Sequence, residues 1–205
     1  MFALVESGSI IKMLSGNQGI TIDGIQHPRA IYTLWTEAER NALGIYTVEY
    51  DNSNKKDEKW YINTNQSYAF GSGKVTATYG TATAKAHADT TWTQEQIDDG
   101  DAPDGADTNT VATRGLKYNL IQTVKAQAAS ELARTDWYIT RNAEKSTAIP
   151  SAITTHRDLV RSRQAAMETS ITNASDTPAL ETLYAYTTDS DGVHSRPLGE
   201  LPTLE

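Results

Sequence analysis

The chain has 205 residues, with 18 Lys and Arg against 26 Asp and Glu, a net charge of −8, and no Cys. Acidity in both halves excludes duplex nucleic acid as a partner, because phosphate recognition needs clustered cations. The missing thiols exclude disulfide scaffolds, thiolate metal sites and cysteine nucleophiles.

The first 90 residues read as short strands. Phe2–Glu6 and Ile10–Leu14 flank Ser7-Gly8-Ser9, and Ile20–Ile22 and Ile25–His27 flank Asp23-Gly24. Asp-Gly favours a two-residue hairpin, since both positions tolerate positive φ. Pro28 cannot donate to a ladder and should end the pairing. Thr36-Glu37-Ala38-Glu39 is a capping box, with Leu43 as apolar anchor and Gly44 as the residue beyond the helix end. Ile45–Tyr50, Trp60–Phe70 and Lys74–Tyr79 are β-prone, and Gly71-Ser72-Gly73 turns the last two into a hairpin.

Thr91–Ile97 suits a short helix capped at Thr93 with Gln96 as box partner. Residues 98–107 then hold five Asp with Gly and Pro, the composition of a linker or exposed loop. Leu116, Leu120, Val124, Ala128 and Leu132 form an apolar stripe at i, i+4 spacing. Thr135 or Asp136 can cap a shorter helix, Trp137–Lys145. Pro150 can start a third, whose face carries Ile153, Val160 and Met167. Asp176-Thr177-Pro178 should end that helix, and Gly and Pro make Thr187–Glu205 an extended tail.

The expected fold is therefore α+β. A small antiparallel β-rich domain with one short helix occupies 1–90, and an acidic linker 91–107. A domain built on a helical hairpin spans 108–186, and an extended tail 187–205. No stretch approaches the ~20 apolar residues of a membrane helix, and Met1–Glu6 lacks the features of a signal peptide.

Chemistry-bearing patterns are sparse. Asp98, Asp99, Asp101 and Asp104 do not match a calcium loop: with Asp99 first, Pro103 and Thr110 fall where ligands are needed. His27, His87, His156 and His194 lack metal-ligand spacing, and nucleophile and phosphate-loop motifs are missing. No catalytic, metal or cofactor residue is assigned, and the chain reads as a non-enzyme. The candidate partner-binding residues are Trp137, Arg141, Arg157 and Arg161. Trp137 is either an anchor of the helical hairpin or a binding hot spot. Arg157 and Arg161 share a helix face and can pair with acids such as Asp158 or with an acidic neighbouring chain.

Two stretches carry a resemblance. One is Leu132–Glu144, containing Thr135-Asp136-Trp137, followed by Ile149–Ile153, His156, Arg157 and Arg161. It is similar to a helical module of tailed-bacteriophage proteins of the tail-fibre-assembly type and of the ends of tail or baseplate proteins. The other is Leu34-Trp35-Thr36 with Glu39, leading to Leu43-Gly44-Ile45-Tyr46. It resembles an element from the amino-terminal part of similar phage proteins, although Arg40 stands where an aliphatic residue is common. The resemblance implies a non-enzymatic virion component of the tail, baseplate or fibre attachment, assembled in the host cytoplasm. Its expected partners are other phage structural proteins or further copies of itself, without nucleic acid or membrane. A tail-fibre assembly chaperone is the alternative.

Overall fold

The computed structural model describes residues 1–204 and is α+β, dividing into two compact units at Thr83/Ala84. In the first unit β1 (Phe2–Glu6) and β2 (Ser9–Leu14) form a hairpin, as do β3 (Ile20–Ile22) and β4 (Ile25–His27). Both turn on two residues at positive φ, Ser7-Gly8 and Asp23-Gly24, the twist that suits flanking strands. Two short helices follow, α1 (Ile31–Leu34) and α2 (Glu37–Ala42), where one was expected. The Thr36 capping box forms in full: Thr36 Oγ1 accepts from the Glu39 amide, and the Glu39 carboxylate accepts from the Thr36 amide.

Strand β5 (Ile45–Asp51) pairs antiparallel with β1. The short β6 (Tyr61–Ile62) is followed by the hairpin β7 (Ser67–Gly71) and β8 (Lys74–Thr78), and β9 (Thr83–Ala84) pairs with β6. The main sheet has the order β2-β1-β5-β8-β7. It is mixed, not wholly antiparallel as expected, because β8 joins β5 in parallel, Val48 opposite Val75. The chain crosses over through β6 and β7 before β8 reaches that position, a connection no local turn signal encodes.

The sheet is buried on both faces. Leu4 and Ile45 pack with Leu14, Ile20, Ile22, Ile31 and Tyr32 under the β3–β4 hairpin and α1. Ala3, Val5, Val48, Val75 and Ala77 face the other way, against Ile10, Met13, Tyr46, Tyr68 and Phe70. Outer strands β2 and β7 contact each other, so the sheet curls and encloses this second core.

The second unit begins with β10 (Thr90–Thr91), α3 (Gln94–Asp98) and β11 (Val111–Thr113). Strands β10 and β11 pair antiparallel, and the Thr93–Gln96 capping box forms. The acidic stretch is thus a loop inside the second unit rather than a linker between domains. Helix α4 (Leu116–Ala133) packs along α6 (Ser151–Asn173), with α5 (Asp136–Lys145) between them in sequence. Leu120, Val124 and Ala128 are buried from one side, and Ile153, Val160, Met167 and Ile171 from the other.

The segment expected to end α6 starts a further helix, α7 (Thr177–Tyr184), capped by Asp176 Oδ1 on the Ala179 amide. The tail is not simply extended. Strands β12 (Thr187–Thr188) and β13 (His194–Ser195) pair, Leu198 is buried, and the Leu198 amide donates to Leu183 O. Further on, the Leu204 amide reaches Glu131 Oε1 at 3.1 Å. Among the described residues no helix is long and apolar enough to cross a membrane.

Gly44 ends the α2 turn at φ +76°, where an added Cβ would lie 2.5 Å from Val5 O. Gly44→Ala should therefore cost more than ~1 kcal/mol, from left-handed strain and displacement of β1. Leu34→Ser, at a side chain left 80% exposed, should stay within ~0.5 kcal/mol. Urea midpoints at unchanged slope measure both.

Candidate partner-binding surface

The Leu132–Asp136 turn closes the α4–α6 pair, and an arginine holds it. Arg157, only 7% exposed, comes from α6. Its Nη1 donates to Leu132 O at 2.8 Å, Thr135 Oγ1 at 2.7 Å and Asp136 Oδ1 at 2.8 Å. Thr135 is fully buried and also donates to Leu132 O. One guanidinium thus meets one of the last carbonyls of α4, of the kind a helix end leaves without an intrahelical partner, together with the first acid of α5. Of the two expectations for Arg157, a nearby acid or an acidic neighbouring chain, the structure shows a nearby acid, Asp136 rather than Asp158, with the side chain buried in this turn.

Beside it lies a second polar cluster. The Glu131 carboxylate accepts from the Leu204 amide at 3.1 Å and from Arg134 Nη1 at 3.1 Å, and faces His156 Nε2 at 3.3 Å. Desolvation pushes the Glu131 carboxyl up, but the Leu204 amide, Arg134 and His156 outweigh it and hold it below the usual glutamate range.

Trp137 does not close the turn, because Thr135 fills the inward position. Trp137 is 51% exposed, and its ring stacks on Tyr138 with centroids 3.8 Å apart and planes tilted by 32°. Arg141, one turn on, lies over both rings, its Cζ 4.8 Å from the Trp137 centroid and 5.6 Å from that of Tyr138. Arg141 Nε is shielded from water with no hydrogen-bond partner, and Arg141 makes no ion pair among the described residues. A flat, cationic and aromatic face of this kind suits protein recognition. Arg161 stands apart on α6, half exposed, 3.4 Å from Asp158 and beside Gln164 and Glu168 in an open hollow.

The four histidines are dispersed. His27 meets the Trp35 ring edge-on, His194 contacts the Thr188 hydroxyl, and His156 faces Glu131. No three His, Asp or Glu gather around one point among the described residues. Tyr138 escaped the sequence reading, although its place beside Trp137 was a signal for a paired platform. No protein family, curated protein or solved structure matches the chain.

The turn and the platform should respond differently to truncation. Arg157→Ala removes a buried, charged donor shared by Leu132 O, Thr135 Oγ1 and Asp136 Oδ1 and leaves a void in the turn, and should cost at least ~2 kcal/mol. Trp137→Ala should cost about 1 kcal/mol or less, because half the ring is already in water. Chemical denaturation of both variants checks the ranking.

Acid should reach the second cluster. A carboxyl held low in the folded state adds stability above its unfolded value of ~4.3 and loses it as pH falls through the folded value. The melting temperature should drop below about pH 4, and Glu131→Gln should flatten that part of the profile. An unchanged acid limb in Glu131→Gln would contradict this role.

Proposed function

We propose that this chain is a non-enzymatic structural component of a tailed-phage particle, in the tail, baseplate or fibre-attachment region, working through protein–protein contacts. The observation that supports this best is the Trp137–Tyr138–Arg141 platform. Trp137 is exposed on α5 with Tyr138 and Arg141 half-buried beside it, and α5 is fixed to the α4–α6 pair by Arg157. Aromatic and arginine side chains on a rigid element supply binding energy at little ordering cost. The platform also falls in the stretch that resembles the phage helical module, Leu132 to Arg161. Assembly takes place in the host cytoplasm and the protein stays in the virion, its partners being other phage structural proteins.

Mass spectrometry of purified source particles tests this reading. The chain is expected at a fixed stoichiometry. Trp137→Ala should lower its incorporation at least tenfold while the free protein keeps its melting temperature. Absence from mature particles, with presence in assembly intermediates, would replace this reading by that of a tail-fibre assembly chaperone.

A further inference from the structure

The second unit is electrically bipolar. Residues 86–107 carry seven acidic side chains and no Lys or Arg, whereas residues 108–173 carry nine Lys or Arg against five acids. The five Asp of residues 98–107 are all exposed and make no ion pair among the described residues. The loop is firmly rooted, since the Trp92 amide donates to Thr110 O and the Asp101 amide to Gln96 O. Its base is fastened to the start of α4: the Leu116 amide donates to Ala86 O, and the Gly115 amide to Asp89 Oδ1.

The platform sits at the other end of the same helix. Helix α4 has 18 residues and rises ~27 Å, so the acidic loop and α5 lie at opposite ends of the α4–α6 pair. The loop therefore cannot fold onto its own platform. Arg141 offers an unpaired guanidinium, already oriented by two rings, of the kind that binds carboxylates through paired N–H groups.

We propose that the acidic loop, Asp98–Asp107, of one copy docks on the Trp137–Tyr138–Arg141 platform of the next. The contact is heterologous, loop to platform, so repetition produces a closed ring or an open filament and not a two-fold dimer. Asp101 and Asp104 supply the carboxylates, and Pro103 offers an apolar face to the Trp137 ring. This rests on the platform being a docking surface and names a second copy as what it holds.

The purified full chain tests it by light scattering across protein concentration and NaCl. The mass should rise above 22.4 kDa with concentration in dilute salt and return to the monomer at ~1 M NaCl, where charges are screened within ~3 Å. Arg141→Ala should stay monomeric, and so should Asp101→Lys combined with Asp104→Lys. A mixture of these two proteins holds one intact loop and one intact platform, and should stop at a heterodimer. Circular dichroism and melting confirm that the variants are folded, and Asp101→Asn with Asp104→Asn repeats the loop arm if the lysine variant is not.

A wild-type chain that remains monomeric overturns the proposal, as does association indifferent to salt or a mixture that forms no dimer. If the wild type is monomeric while Trp137→Ala still blocks incorporation into particles, the platform holds a different protein. In that case this inference fails and the docking surface stands.

Discussion

The second unit depends on a charge placed where charges seldom go. Arg157 lies on the apolar face of α6, between Ile153 and Val160, and its guanidinium enters the turn between α4 and α5. Burying it is tolerable because Nη1 meets a carbonyl, a hydroxyl and a carboxylate together. The direction of α5 follows from that contact, because Asp136 is its first residue. The outward position of Trp137 follows in turn, since it lies one residue beyond Asp136, about 100° further round the helix. An aliphatic residue at 157 could fill the space but would leave Thr135 and Leu132 O bonded only to each other and to nearby amides, with nothing joining them to Asp136.

The first unit solves a different problem, since its strands are short and its apolar residues few. Curling lets one sheet serve two cores, with Leu4 and Ile45 under the β3–β4 hairpin and Val48 and Val75 inside the bend. The meeting of β2 and β7 also limits how much strand edge is left open to another chain.

Local chemistry was readable, and long-range geometry was not. The Asp23-Gly24 turn and the Thr36 and Thr93 capping boxes lie within four residues, and all form as their sequences imply. The stripe from Leu120 to Ala128 also faces the core. The parallel β5–β8 pair depends on a crossover of more than twenty residues, which periodicity does not report. Helix α7 is hidden in the sequence because Asp176-Thr177-Pro178 both ends one helix and starts another, with Asp176 as cap and Pro178 in the first turn. At the candidate surface, Arg157 occupies a core position of the α6 stripe by spacing alone, a signal outweighed by its charge. Of the two expectations for Trp137, hairpin anchor or exposed hot spot, the anchor fails because the fully buried Thr135 takes the inward place.

The parallel β5–β8 pair also bears on the order in which the molecule acquires its structure. Strand β5 must wait for the chain to pass through β6 and β7 before its second neighbour exists. Closing such a loop costs entropy before any contact repays it, and folds dominated by distant pairings form slowly. The α4–α6 pair joins residues as far apart as Lys117 and Thr172, but its helices form locally. The amino-terminal unit is translated first, and until β8 arrives strand β5 is flanked on one side only, by β1. That half-finished sheet is the species most exposed to mispairing between nascent chains, which gives the hairpins at Ser7-Gly8 and Ser72-Gly73 a kinetic value beyond the contacts they make in the finished fold.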